Sequence, residues 1–186
     1  MNKNDIVLLK SIALSQKIPI VTDEVINFIV SKITKNMIVL EIGSGIGYST
    51  LVMSLYAKHV YTFEKDKQRF EYLQKNILDF KVDNVTPFFG DALSCDFSKE
   101  VDLIFIDAAK TKNIDFFIKY SKNIVKGGII ITDNIFLHNL EYSNASKRTK
   151  KMIQKIQEYV DYLSVNELFI TQILNIGDGI SYSIKK

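Results

Sequence analysis

The run Val39-Leu40-Glu41-Ile42-Gly43-Ser44-Gly45-Ile46-Gly47-Tyr48-Ser49 leads an apolar stretch of strand character straight into a glycine-rich turn and then into a helical pattern. This narrows the choice of fold to a parallel α/β sheet whose first strand-to-helix turn faces a nucleotide-like ligand. Glycines at 43, 45 and 47 allow unusual dihedrals and let a ligand approach the main chain. The spacing is G-x-G-x-G, with Tyr48 where a dinucleotide fingerprint places its third glycine, which shifts the expectation from NAD to S-adenosylmethionine.

From Met37 onward, short apolar runs alternate with helical patterns, as in a parallel sheet covered on both faces. The strands expected are Met37 to Ile42, His59 to Glu64, Val85 to Phe89, Val101 to Asp107 and Gly128 to Asp133. Leu168 to Ile176 and Gly179 to Ile184 read as a final hairpin around Gly177-Asp178-Gly179. Phe70, Leu73, Ile77 and Leu78 mark one covering helix, and Ile114, Phe117, Ile118 and Ile124 another. Met152, Ile153, Ile156, Val160 and Leu163 form the apolar stripe of a third. Ahead of the sheet, Ile6 to Lys17 and Val25 to Ile33 read as helices, with Thr22 or Asp23 capping the second. Residues 1–35 are expected to form a helical cover on one domain spanning 1–186.

Composition narrows the function classes. At 186 residues, with 47% hydrophobic and 24% charged residues, the chain is long enough to bury a core without staples. Cys95 is the only cysteine, so no internal disulfide forms and a reducing cytoplasm is the expected compartment. Lys3, Lys10 and Lys17 interrupt any leader-like apolar run, and no segment reaches membrane-spanning length. A net charge of +3 tolerates nucleic acid as a partner without requiring it.

Parallel strands place their carboxyl ends along one edge, so Glu64, Asp91, Asp107, Asp133 and Asn134 gather beside the glycine turn. Glu64 lies 21 residues after Gly43, the spacing at which an acid accepts hydrogen bonds from both ribose hydroxyls of an adenosine. Gly90-Asp91-Ala92 offers a polar group at the adenine edge. Asp107, Asp133 and Asn134, at two neighbouring strand ends, make a hard oxygen donor set suited to Mg²⁺, Mn²⁺ or Ca²⁺, while the lack of clustered His or Cys argues against zinc.

With these motifs the chain resembles the metal-dependent O-methyltransferases of the catechol and caffeoyl-coenzyme A type over nearly its whole length. The resemblance implies a Rossmann-like, doubly wound, mostly parallel seven-stranded sheet with a C-terminal antiparallel hairpin. It implies S-adenosylmethionine held by Val21, Glu41, Gly43, Ser44, Gly45, Gly47, Ser49, Glu64, Lys65, Asp91, Ala92 and Asp107. It also implies a divalent metal, Mg²⁺ or a similar ion, on Asp107, Asp133 and Asn134, with Lys110 as catalytic lysine beside Asp107 and Asn134. A homodimer is a further implication. Within the family, Ile18-Pro19-Ile20, Phe105 to Lys110, Gly128 to Asn134, Ser146-Lys147-Arg148 and Gly177-Asp178-Gly179 are most similar to the bacterial enzymes that methylate 5-hydroxyuridine at the tRNA wobble position. That similarity implies tRNA as the partner, with Lys147, Arg148, Lys150 and Lys151 as RNA contacts. A small catechol-like or phenolic acyl-coenzyme A acceptor is the alternative. The chain departs from the tRNA-modifying pattern where Asn113 and Ile114 replace an aromatic after the lysine. His138, in the loop after Asn134, is expected to be exposed, and Asp178 is expected to serve as a turn residue.

Overall fold

The computed structural model describes residues 3–15, 18–136 and 146–186. Helices α1 (Lys3–Ser15) and α2 (Asp23–Lys32) precede the sheet. Strand and helix then alternate through β1 (Ile38–Ile42), α3 (Tyr48–Ser54), β2 (His59–Glu64), α4 (Lys67–Asp79) and β3 (Val85–Phe89). After β4 (Val101–Ile106) come a 3₁₀ turn at Lys110–Lys112, α5 (Asn113–Tyr120), β5 (Ile124–Thr132), α6 (Lys147–Ser164) and the hairpin β6 (Phe169–Leu174) and β7 (Ile180–Lys185).

These strands make one sheet of order β3-β2-β1-β4-β5-β7-β6, parallel except where β7 runs against β5 and β6. This is the doubly wound architecture expected. The central strands are buried on both faces, which is why they read as continuous apolar runs. Alternate residues serve different cores: Val39, Leu103, Phe105 and Ile131 pack under α1, α2 and α3. Leu40, Ile42, Ile104, Ile106 and Ile130 pack under α5 and α6. The cap on α2 is Thr22, whose hydroxyl accepts from Val25 N at 3.3 Å. Asp66 caps α4 and Ser146 caps α6 in the same way.

Three expectations are corrected. Ile124 begins β5 and pairs with Val101, and the ladder shifts register before resuming at Leu103 and Ile129. An apolar residue three positions before the Gly127-Gly128 pair fits a helix stripe and a strand equally well, and the irregular pairing carries the strand back through the glycines. Leu78 and Ile118 stand 75% and 53% exposed, outside the stripes assigned to them, because α4 and α5 bury narrower faces around Leu73 and around Phe116 and Phe117. Lys17, His138 and residues 140–145 lie outside the described residues. Among the described residues, no helix is long and apolar enough to cross a membrane.

Candidate active site

A cavity of about 330 Å³ opens at the carboxyl ends of β1, β2 and β4. Its floor is the glycine turn. Gly43, Gly45 and Gly47 all have positive φ, of 96°, 55° and 96°. A side chain on Gly43 would strike the main-chain oxygen of Asp107 at 2.3 Å, and one on Gly47 would strike Leu73 at 2.5 Å. Only at Gly45 is the space open, so this is the glycine whose missing side chain leaves room for a ligand.

Glu64, at the end of β2, is buried and already oriented. Its Oε2 accepts from Gly45 N at 2.8 Å and its Oε1 from Asp66 N at 2.8 Å. A carboxylate has about four lone-pair sites, so each oxygen keeps one for a further donor such as a ribose hydroxyl. Ser44 Oγ is buried at the cavity wall without a hydrogen-bond partner, a second unused polar atom. Val21, Gly43, Ser49, Lys65, Asp91, Ala92 and Asp107 join the lining, together with Pro19 and Ile20 of the segment before α2.

Glu41 and Gly47 are absent from the lining. Glu41 is fully buried on β1, and its oxygens accept from Ser49, Thr50 and Thr62, the last at 2.8 Å. Burial pushes its pKa up, and the three hydroxyls partly offset that cost. It fastens the start of α3 under the turn, a role that residue spacing does not separate from ligand contact. Phe63, Arg69 and Phe116, which the sequence does not mark as site residues, also line the cavity, as does Tyr48 of the glycine-rich run. Apolar residues in strand and helix patterns carry a core signal that hides a second surface.

The edge of the cavity continues into the acidic pair. Asp107 N donates to Ile42 O, and Asp133 N donates to Ile106 O, both at 3.0 Å, so the ladder sets the two residues at adjacent strand ends. Asp107 keeps some exposure as a residue, but its carboxyl is enclosed. Removal from water, with repulsion from Asp133 and Glu41, pushes its pKa up to about 7, against the pull of Lys110. Asp133 is pushed up to about 6 by burial, opposed by the hydrogen bond from Asn134 N and by Lys110. Asn134 adopts a left-handed φ of 61°, and its Oδ1 accepts from Lys110 Nζ at 2.8 Å. Among the described residues, no cluster of three His, Cys, Asp or Glu side chains exists that could hold a metal. The donors here are two carboxylates and an amide. Two enclosed carboxylates whose charge Lys110 offsets only in part, beside an amide oxygen, suit a hard divalent cation.

Lys147, Arg148 and Lys151 are exposed at the start of α6, and Lys150 is partly buried beside them. α6 packs against the 3₁₀ turn that begins with Lys110. The turn Gly177-Asp178-Gly179 reaches back to the site: Ile135 N donates to Gly179 O at 3.0 Å and Phe136 N to Asp178 O at 2.8 Å.

Comparison with known proteins locates this arrangement. The profile of the O-methyltransferase family matches residues 9–186. A caffeoyl-CoA O-methyltransferase-like protein from Staphylococcus aureus superposes with a TM-score of 0.89 at 30% identity, covering 97% of this chain and 92% of that one. An O-methyltransferase from Bacillus cereus, solved in complex with SAH, superposes with a TM-score of 0.86, covering 100% of this chain and 92% of its own, and its 21% identity makes that a likeness of fold. A protein-L-isoaspartate O-methyltransferase from Protochlamydia amoebophila is 41% identical over 61 residues, which are 33% of this chain and 29% of the relative. The match thus spans under a third of that curated relative.

Proposed function

Since the chain belongs to the O-methyltransferase family, we propose that it moves the methyl group of S-adenosylmethionine to the 5-hydroxyl of wobble 5-hydroxyuridine in tRNA, giving 5-methoxyuridine. The observation that carries the reading is the double membership of Asp107, which lines the cavity and repels Asp133 beside it. Donor and acceptor positions therefore adjoin at one residue.

The chain's own part in the reaction is mainly positioning. Glu64 takes the ribose hydroxyls, while Ser44 and Asp91 offer polar atoms to the rest of the donor. The acceptor hydroxyl gives up its proton to solvent, and its oxygen attacks the methyl carbon in line with the carbon–sulfur bond, which breaks and leaves a neutral thioether. Asp107, Asp133 and Asn134 would hold a divalent cation, which when bound would lower the pKa of the acceptor hydroxyl. Lys110, anchored on Asn134 Oδ1 at 2.8 Å, sets a positive charge where that oxygen becomes an anion. Ala108 and Ala109 present only methyl groups between Asp107 and Lys110, which leaves room for a planar ring.

The charge on α6 supports RNA as the acceptor. A helix start carries partial positive charge, so cations there are unfavourable by about 0.3–1 kcal/mol each. The first turn of α6 nevertheless holds Lys147, Arg148 and Lys150 and no acid. The stability of the helix does not call for Lys147 and Arg148 there, whereas phosphate binding does. The likeness to the Staphylococcus aureus protein supports a second reading, a small phenolic acceptor.

Nucleoside mass spectrometry separates the two. tRNA carrying 5-hydroxyuridine, incubated with the protein, S-adenosylmethionine and Mg²⁺, is expected to gain 5-methoxyuridine, and Asp133→Ala is expected to abolish the gain. Methylation of a free catechol with the tRNA untouched would reassign the acceptor.

A further inference from the structure

Lys119, on α5, makes no ion pair among the described residues. Its ammonium donates to three backbone carbonyls: Ala92 O at 2.8 Å, Leu93 O at 2.8 Å and Cys95 O at 2.6 Å. An ammonium has three donors, and all three are spent here. The carbonyls belong to one turn, formed as Ser94 N and Cys95 N donate to Asp91 O at 2.8 and 3.0 Å and Leu93 N donates to Asp91 Oδ1 at 2.9 Å. Such a turn collects partial negative charge at its carbonyl end, where a cation is favoured. Tyr120 adds its hydroxyl to Ala92 O at 2.6 Å.

The other side of the same turn is the cavity wall, because Gly90, Asp91 and Ala92 line the cavity while Lys119 does not. We infer that Lys119 is a positioning residue for the methyl donor: from behind the wall it fixes the Gly90–Ala92 main chain and the Asp91 side chain at the distance the donor requires. This rests on the assignment of the cavity to S-adenosylmethionine. An apolar residue at 119 would leave those three carbonyls without their shared donor and remove the ammonium that lies 5.4 Å from the centroid of the Tyr120 ring.

The test is calorimetric titration with S-adenosylhomocysteine, with steady-state kinetics in which donor and acceptor are varied separately. Lys122→Met, at an exposed position just after α5, serves as control. Wild type and Lys122→Met are expected to bind alike. Lys119→Met is expected to bind about tenfold more weakly, the size of effect that follows from losing charge-assisted hydrogen bonds. Its donor KM rises by the same factor, while kcat at saturating donor and the acceptor KM stay within about twofold. Lys119→Arg, which keeps the charge and the donors, is expected to recover most of the affinity.

Unchanged affinity in folded Lys119→Met overturns the inference. So does a fall in kcat with the donor KM unmoved, since that reports general loosening. If Lys119→Met fails to fold, Lys119→Gln takes its place with the same expected and overturning results. Folded wild type that binds no S-adenosylhomocysteine overturns the cavity assignment itself, and the inference with it.

Discussion

Three glycines in one turn hold positive φ for different reasons, and single substitutions separate them. Gly43 is pressed against the main chain of Asp107, so its lack of a side chain closes β1 onto β4. Gly45 faces open space in the cavity. Gly43→Ala is expected to cost about 1–2 kcal/mol for the left-handed backbone and about 1–3 kcal/mol more for overpacking. Gly45→Ala carries only the backbone cost, yet is expected to lose most of its affinity for S-adenosylhomocysteine. Chemical denaturation and calorimetry on the two variants read these effects independently. The G-x-G-x-G spacing was legible in the sequence, but the division of labour within it was not, because the pattern records where side chains are missing and not what occupies the space. Glu41 repeats the lesson. Its buried bonds to Ser49, Thr50 and Thr62 come from three separate positions that only the fold brings together.

At the level of elements, α6 sets a cationic start beside the turn that carries Lys110. Replacing Lys147, Arg148, Lys150 and Lys151 with Gln is expected to raise the KM for tRNA about tenfold near physiological salt, leaving donor affinity unchanged. The salt dependence of tRNA binding is expected to become shallower in the same variant, as filter binding across a salt series would measure. This helix was easy to find in the sequence, since Ile156, Val160 and Leu163 recur at helical spacing. The start of β5 was not, because Ile124 fits either period and its pairing with Val101 depends on a register shift between strands distant in sequence. Local pattern carries no information about an irregularity imposed by a neighbour.

Across the whole molecule, the enclosed acidic pair links stability to pH. Asp107 and Asp133 have folded-state pKa values of about 7 and about 6, above the ordinary 3.8. The folded protein therefore binds more protons than the unfolded chain between these limits, and stability falls as pH rises through them. The full contribution is present below about pH 4 and is lost by about pH 7 in the metal-free protein. A tenfold change in proton affinity is worth about 1.4 kcal/mol, so the fall is on the order of a few kcal/mol. Thermal melts in a chelator from pH 4 to pH 8 are expected to show it, and Mg²⁺ or Asp133→Asn is expected to flatten the upper part of the curve. The overall topology was legible, since strand ends in parallel sheets fall on one edge whatever the loops do. The proton affinities were not, because they depend on how far the carboxyls are enclosed.

The hairpin turn at Gly177–Gly179 touches both halves of this site. On one side Gly177 N donates to Glu24 at 3.2 Å, at the head of the helix that follows Val21. On the other it receives the amides of Ile135 and Phe136, immediately after Asn134. The segment at the head of α2 and the stretch after Asn134 are thus moored to one post. The last hairpin of the chain is therefore a shared fastening for two segments from distant parts of the sequence, the head of α2 and the stretch that follows β5.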